Sequence, residues 1–508
     1  MGVVLNYFHL LDSVAAETIV VVTALLVLVI DMVVMQSESV RNRFLVCGSF
    51  AIFGLLGSIS WLTFISYPAL SQNVADCPLM VMSYADPLSQ LVKMGLLVMV
   101  IFTLGLSMDS EFTRHVGEYI SLILFSTVGM MLLISATDLL LFFVSLELTS
   151  LSLYILCGFN GLKKASTEAA LKYLLLGGIS AAFTLFGLSY LYGATGETNI
   201  FRIAAKFTGV FPVKDPLLMV SLVMIAIGFG FKIAAAPFHL WAPDVYQGAP
   251  NPSAAFIASS SKLAGFFVFG RIILVAFKGS AGLGSWHQFE TGWLPLIALI
   301  SAASMVIGNV GALAQKDVKR LLAYSAIAQG GYTLLGLLAN TQQGVCSVIF
   351  YMFTYGLTVI GTFAVVGIVE RKRGATRLAD FAGFAKNEPA IAFCMMVFML
   401  SLAGIPPLAG FFGKFYLFSS VVAGAKNLGL LWLVILGIAT SAVSLYYYLQ
   451  VLKQVYVKPS QDSAPWGTVS IQTRVVIYCL AASVVILGVL PDLVLDPLLA
   501  AVHSFTFN

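Results

Sequence analysis

The chain has 508 residues, of which 59% are hydrophobic and only 10% charged, and its mean hydropathy is +0.97. A soluble domain is about one quarter charged, so the composition excludes a soluble globular protein and leaves a polytopic one in a lipid bilayer. The net charge of +4 comes from dispersed residues, which gives no footing for nucleic acid.

Residues 1–16 contain no Lys or Arg. The positive segment of a cleavable signal is therefore missing, and the first span is expected to be retained. Apolar runs able to cross about 30 Å of hydrocarbon recur fourteen times, near residues 14–35, 44–66, 87–108, 118–135, 138–158, 166–193, 216–241, 253–277, 292–313, 321–340, 343–369, 389–422, 428–452 and 473–495. The expected fold is an all-α polytopic membrane protein of about fourteen transmembrane helices. It divides into N-terminal spans 1–3 (residues 1–110), a five-helix unit of spans 4–8 (115–280), a second and inverted five-helix unit of spans 9–13 (290–455), and a last span (470–508). An odd number of spans per unit makes the second unit inverted relative to the first.

With the N-terminus outside, alternate loops collect sixteen Lys and Arg on one side and five on the other. The positive side faces the cytoplasm, so both termini are expected on the non-cytoplasmic side, and a bacterial plasma membrane is the expected location. Six basic residues fall inside spans. Lys93 and Arg271 are read as leaning toward a boundary and snorkelling. Lys262 lies close to mid-span, and Lys172, Lys232 and Lys414 lie a few turns from an end. Among the acids Glu147 is the deepest, within LLLFFVSLELTSLSLYIL.

Two spans are interrupted. The seventh breaks near Pro237, with His239 just beyond, and the twelfth breaks at Gly404-Ile405-Pro406-Pro407, ahead of Lys414. Both breaks fall on the fourth helix of a unit and beside a lysine, which is the sequence mark of an ion pathway built from internal repeats. A lysine at the centre of a bilayer helix costs about 2.5–3.5 kcal/mol on insertion scales, and a broken helix must re-satisfy its backbone at depth. Burial opposes a charged lysine, while a nearby carboxylate restores the charge. A Glu–Lys pair of variable separation is thus a proton switch, and Glu147 with Lys232 is the candidate pair. Lys262 can then receive the proton and Lys414 can pass it on, with His239 extending the chain. Tyr446-Tyr447-Tyr448 reads as an interfacial aromatic belt. Six scattered Cys and five scattered His show no metal or iron–sulfur spacing, and no dinucleotide loop is present.

These stretches resemble a known family, the antiporter-like membrane subunits of respiratory complex I, most closely its subunit N (subunit 2) branch. The carrying motifs are FFVSLELTSLSLYIL around Glu147, STEAALKYLLLGGISAAF around Lys172, FKIAAAPFHLWAPDVYQGAP around Lys232 and His239, SSSKLAGF around Lys262, KRLLAYSAIAQGGY around Tyr324 and LSLAGIPPLAGFFGKFYLF around Lys414. The resemblance implies proton translocation through Glu147, Lys232, Lys262 and Lys414, with Lys172, His239, Tyr324 and Gln329 as accessory groups. Many relatives carry His where Gln329 stands. Glutamine does not titrate, so a proton step there needs water or the tyrosines Tyr324 and Tyr332. The resemblance also implies that this chain holds no cofactor, and that NADH, FMN, iron–sulfur clusters and quinone belong to partner subunits. The expected partners are antiporter-like neighbours and small membrane subunits. The rival readings are a subunit of a multisubunit cation/proton antiporter and a purely structural scaffold.

Overall fold

A computed structural model describes residues 14–64, 86–207, 215–285, 288–424, 429–459 and 469–502. The N-terminal thirteen residues, Cys77, Lys214 and Lys426 lie outside the described residues.

Helix is the element that pairs every backbone group within its own segment, as hydrocarbon demands. The long apolar runs become α1 (Ala15–Val29, continued as a π-turn over Ile30–Val34), α2 (Val40–Phe64), α3 (Pro87–Ser107), α4 (Val116–Ser135), α5 (Leu139–Cys157) and α6 (Lys164–Thr195). The seventh run forms α7 (Pro216–Lys232), a break, and the short α8 (Ala242–Gly248); α9 then runs from Asn251 to Ala276 with a kink at Ser259. A small antiparallel hairpin, β1 (Leu283–Ser285) with β2 (Gln288–Glu290), leads into α10 (Trp293–Leu313), α11 (Val318–Leu338) and α12 (Gln342–Arg373). The second interrupted run gives α13 (Pro389–Ala403) and α14 (Ala409–Gly424). The chain continues with α15 (Leu431–Tyr456), α16 (Ile471–Val489) and the short α17 (Asp492–Ala501).

Among the described residues twelve helices are long and apolar enough to cross a membrane, and the shorter α7 and α13 each precede a break. Capping sets many of the ends. Asp138, Asp215, Asp317, Thr341 and Ser470 accept from backbone N–H groups in the first turns of α5, α7, α11, α12 and α16.

Several landmarks occur twice. α6 and α12 both have 32 residues and both end on a left-handed glycine, Gly196 and Gly374. Asp138 forms a backbone bridge to Asn199 beyond α6, and Asp317 forms one to Arg377 beyond α12. The two breaks match in detail. Each has a left-handed residue three positions before a cis proline, Ala234 with Pro237 and Gly404 with Pro407, and the second set lies 170 positions after the first. The N–H of Ala235 bonds Gly230 O and that of Ile405 bonds Leu400 O, again in the same register.

α9, α11 and α12 are almost wholly buried and form the centre, whereas α1, α2, α6 and α15 turn apolar faces outward. The apolar exterior and the polar side chains enclosed at the centre invert the arrangement of a water-soluble protein.

Candidate functional site

The first break places a lysine at the end of a helix that stops inside the protein. Its freed backbone groups find partners. Ala235 N–H bonds Gly230 O at 2.7 Å, Ala236 N–H bonds Ser304 Oγ of α10 at 2.8 Å, and Trp241 Nε1 donates to Phe231 O at 2.9 Å. Lys232, the last residue of α7, is buried, and its Nζ donates to Ser150 Oγ on α5 at 3.1 Å. Ser150 sits three residues after Glu147, on the same face. Glu147 and Lys232 line one small cavity with Tyr154, Tyr173 and Ser180, holding space for about one water. Glu147 Oε1 is buried there without a hydrogen-bond partner among the described residues. The two charged groups are brought together, yet Lys232 is bonded to a hydroxyl rather than to the carboxylate.

Lys262 stands on the neighbouring α9, just beyond the kink at Ser259. Its Nζ donates to Ala326 O of α11 at 2.7 Å and lies 5.9 Å from the centroid of the Tyr355 ring. Gly265, one turn further along, lets α7 approach. A Cβ at that position would lie 3.5 Å from Lys232 Cγ and 3.3 Å from Ile233 Cγ2. The first two lysines therefore occupy adjacent helices across a glycine contact.

A hydrogen-bonded file leads onward from α11. Ser325 and Tyr448 share a hydrogen bond between hydroxyls, Gln329 Nε2 donates to Tyr448 Oη at 3.1 Å and to Leu402 O at 3.2 Å, and Tyr351 donates to Gln329 Oε1. Lys414 Nζ binds the same Leu402 O at 2.9 Å, Ala403 O at 3.1 Å and Ser441 Oγ at 3.0 Å. Its ammonium thus sits on the final carbonyls of α13, where the helix dipole favours a cation. Tyr332 presents its ring 5.3 Å from that nitrogen, and its hydroxyl is tied to Asn309 and Thr440.

The accessory residues divide. His239 is buried 6.4 Å, ring to ring, from Tyr324, and its Nδ1 has no partner among the described residues. Lys172 is not deep: its half-exposed ammonium bonds Asp244 and Glu168, each at 2.7 Å, and Asp244 also holds Arg320 at 2.6 Å.

Three sequence expectations are corrected. Lys93 does not snorkel; it is buried and ion-paired to Glu17 of α1 at 2.5 Å. Arg271 is likewise enclosed, binding Asp86 at 2.8 Å, Ser89 Oγ at 3.1 Å and Ile134 O at 2.9 Å. In both cases an acid on another part of the chain compensates the charge in place. Of the tyrosine triplet only Tyr446 faces outward; Tyr447 and Tyr448 are buried, the first donating to Asn309 Oδ1 at 3.1 Å. Sequence reading also missed Glu370, which binds Lys319, Lys163 and Asn251 at 2.7, 2.9 and 2.8 Å. Its place at the end of an apolar span was legible, but its partners were not. Outside the spans, Asp109 is pushed up by burial, but Arg371 at 2.6 Å outweighs that and holds its carboxyl below the usual range. Among the described residues no group of three His, Cys, Asp or Glu is placed to hold a metal.

Residues 136–444 match the family described as NADH:quinone oxidoreductase/Mrp antiporter, transmembrane. The chain is 49% identical to NADH-quinone oxidoreductase subunit N 2 of Acidobacterium capsulatum over 387 residues, 76% of this chain and 77% of that one. It is 39% identical to NADH-quinone oxidoreductase subunit N of Desulforamulus reducens over 462 residues, 90% and 92% of the two. A chain of respiratory complex I from Thermus thermophilus with bound Aureothin superposes with a TM-score of 0.76 and 33% identity, over 96% of this chain and 100% of that one. A chain of the Mrp complex from Dietzia sp. shares the fold, with a TM-score of 0.80 at 20% identity over 97% of each.

Proposed function

Because the chain belongs to the NADH:quinone oxidoreductase/Mrp antiporter transmembrane family, we infer that it is a proton-translocating membrane-arm subunit of an NADH:quinone oxidoreductase. The observation that carries this reading is the succession of enclosed ionisable groups, Glu147, Lys232, Lys262 and Lys414, with hydroxyls, backbone carbonyls and Gln329 between them. Each step needs a group that gains or loses a proton, and a polar neighbour that takes up the bond it leaves.

Lys232 bonded to Ser150, apart from Glu147, is the separated form of the switch. Approach of the Glu147 carboxylate holds the proton on Lys232; withdrawal lets it pass across the Gly265 contact toward Lys262. Gln329 does not titrate. The file from Tyr351 through Gln329 to Leu402 O therefore orients donors and acceptors, and water carries the proton to Lys414. His239 and Tyr324 border the break as accessory groups, and Lys172 with Asp244 acts at its rim.

The paired bridges and the matched breaks support two inverted five-helix units, 115–280 and 290–455, flanked by residues 1–110 and 470–508. Loop charge favours both termini on the non-cytoplasmic side of a bacterial plasma membrane. NADH, FMN, the iron–sulfur clusters and quinone belong to partner subunits, and antiporter-like and small membrane subunits are the neighbours. The test is Glu147→Gln and Lys262→Ala in the assembled complex: normal assembly with loss of coupled proton movement is expected. Wild-type turnover and pumping in either variant rejects the reading.

A further inference from the structure

A second enclosed polar cluster lies away from the four-residue path, in the N-terminal helices. Glu17 stands in the first turn of α1, and Gln90 and Lys93 lie one turn apart on one face of α3. Glu17 and Lys93 form an ion pair, and all three side chains are at least 95% buried. α1 and α3 both pack against α2 and α4. Among the described residues three polar atoms here have no partner: Glu17 Oε2, Gln90 Oε1 and Gln90 Nε2. A buried carboxylate oxygen and a whole amide left unpaired are rare, and ordered water is what ordinarily completes them, with about three hydrogen bonds per molecule.

We propose that Glu17, Gln90 and Lys93 form a hydrated, proton-bearing site that releases protons at the end of the chain where α1 and α3 begin. This rests on the translocation reading above. By the loop charges that end is the non-cytoplasmic one. Arg271, nine residues beyond Lys262 on α9, reaches the same end and binds Ser89, the neighbour of Gln90. Paired to Asp86, its guanidinium lies beside the cluster. In the release step the N–H bond on Lys93 Nζ breaks, its electron pair stays on nitrogen, and an O–H bond forms on Glu17. The carboxylic acid then gives that proton to the water ordered by Gln90 and returns to carboxylate. Lys93 then takes a proton handed on by water from Lys262, whose segment of α9 packs against α3; an N–H bond on Lys262 breaks as the one on Lys93 forms.

The alternative is a clasp that only holds α3 to α1. Proton transport per electron, measured in membrane vesicles with the intact complex, separates the two. Glu17→Gln and Lys93→Met are expected to reduce that ratio to the level of Lys262→Ala, while quinone reduction continues. Glu17→Asp is expected to restore it, and Glu17→Gln to remove a protonated-carboxyl infrared band that appears during turnover. The double variant Glu17→Gln/Lys93→Met leaves no unpaired charge, and it decides the matter if a single variant fails to assemble. A wild-type ratio in the assembled double variant overturns the proposal even if stability falls. If Lys262→Ala lowers the ratio and the double variant does not, only this proposal fails; if Lys262→Ala is also silent, the translocation reading fails with it.

Discussion

Lys414 separates a structural role from a proton-carrying one. Its ammonium makes three hydrogen bonds of 2.9–3.1 Å, two of them to the last carbonyls of α13 and one to Ser441. Lys414→Met keeps the apolar stem of the side chain but leaves those three groups without the ammonium. Hydrogen bonds to a charged group contribute about 1.5–3 kcal/mol each, and an unsatisfied buried group costs about 1–3 kcal/mol. Removing a buried charge offsets much of that loss, so the net destabilisation is expected to be about 1–3 kcal/mol, short of unfolding. Lys414→Arg keeps the charge and offers donors to the same carbonyls, but its guanidinium does not give up a proton in proteins. Removing a positioned proton-transfer group costs roughly 10^2–10^4-fold in the step that uses it. The assay compares thermal stability of the complex with proton uptake by vesicles. Lys414→Arg should recover stability relative to Lys414→Met and should not recover transport. Wild-type transport in Lys414→Arg would show that this residue is a helix-end cap and nothing more.

Three further outcomes are expected. Gln329→Leu leaves Tyr351, Tyr448 and Leu402 O without their shared partner, which should cost about 1–3 kcal/mol of stability and slow transport, both measurable on the purified complex; unchanged transport would remove Gln329 from the path. Arg271→Met strands Asp86 in the interior and should destabilise by about 3–5 kcal/mol, with Asp86→Asn in the same chain recovering part of it in thermal denaturation. Asp109 has its carboxyl held below the ordinary value by Arg371. Its contribution is present above the unfolded-state value of about 3.9 and is lost as pH falls through the lower folded-state value. Asp109→Asn should therefore differ from wild type in stability at neutral pH and converge with it in strong acid.

The lysines were legible because a cation in an apolar run is costly wherever its partners are, so Lys232, Lys262 and Lys414 needed no three-dimensional information to stand out. The breaks were legible for the same reason, since Pro237 and Pro406-Pro407 interrupt runs that otherwise would cross as plain helix. What the sequence withheld was pairing. Lys93 and Glu17 are 76 positions apart and Arg271 and Asp86 are 185, so no local pattern shows that each acid reaches its base, and a boundary position was the simplest reading. Tyr446, Tyr447 and Tyr448 share one helix turn, yet only the side each presents to the bundle decides between lipid and the Gln329 file. Glu147 was found as a deep acid, but the bond that Lys232 makes to Ser150 depends on how α5 and α7 pack.

The seat of Lys414 on the end of α13 has a consequence for leakage. A protonated amine holds that helix end with three donors, whereas a neutral one keeps two for Leu402 O and Ala403 O and accepts from the Ser441 hydroxyl, giving a weaker clasp. On the translocation reading, departure of the proton and the hold on the end of α13 are tied to each other, so a charge driven backward by the membrane voltage meets a lysine already seated on that helix end.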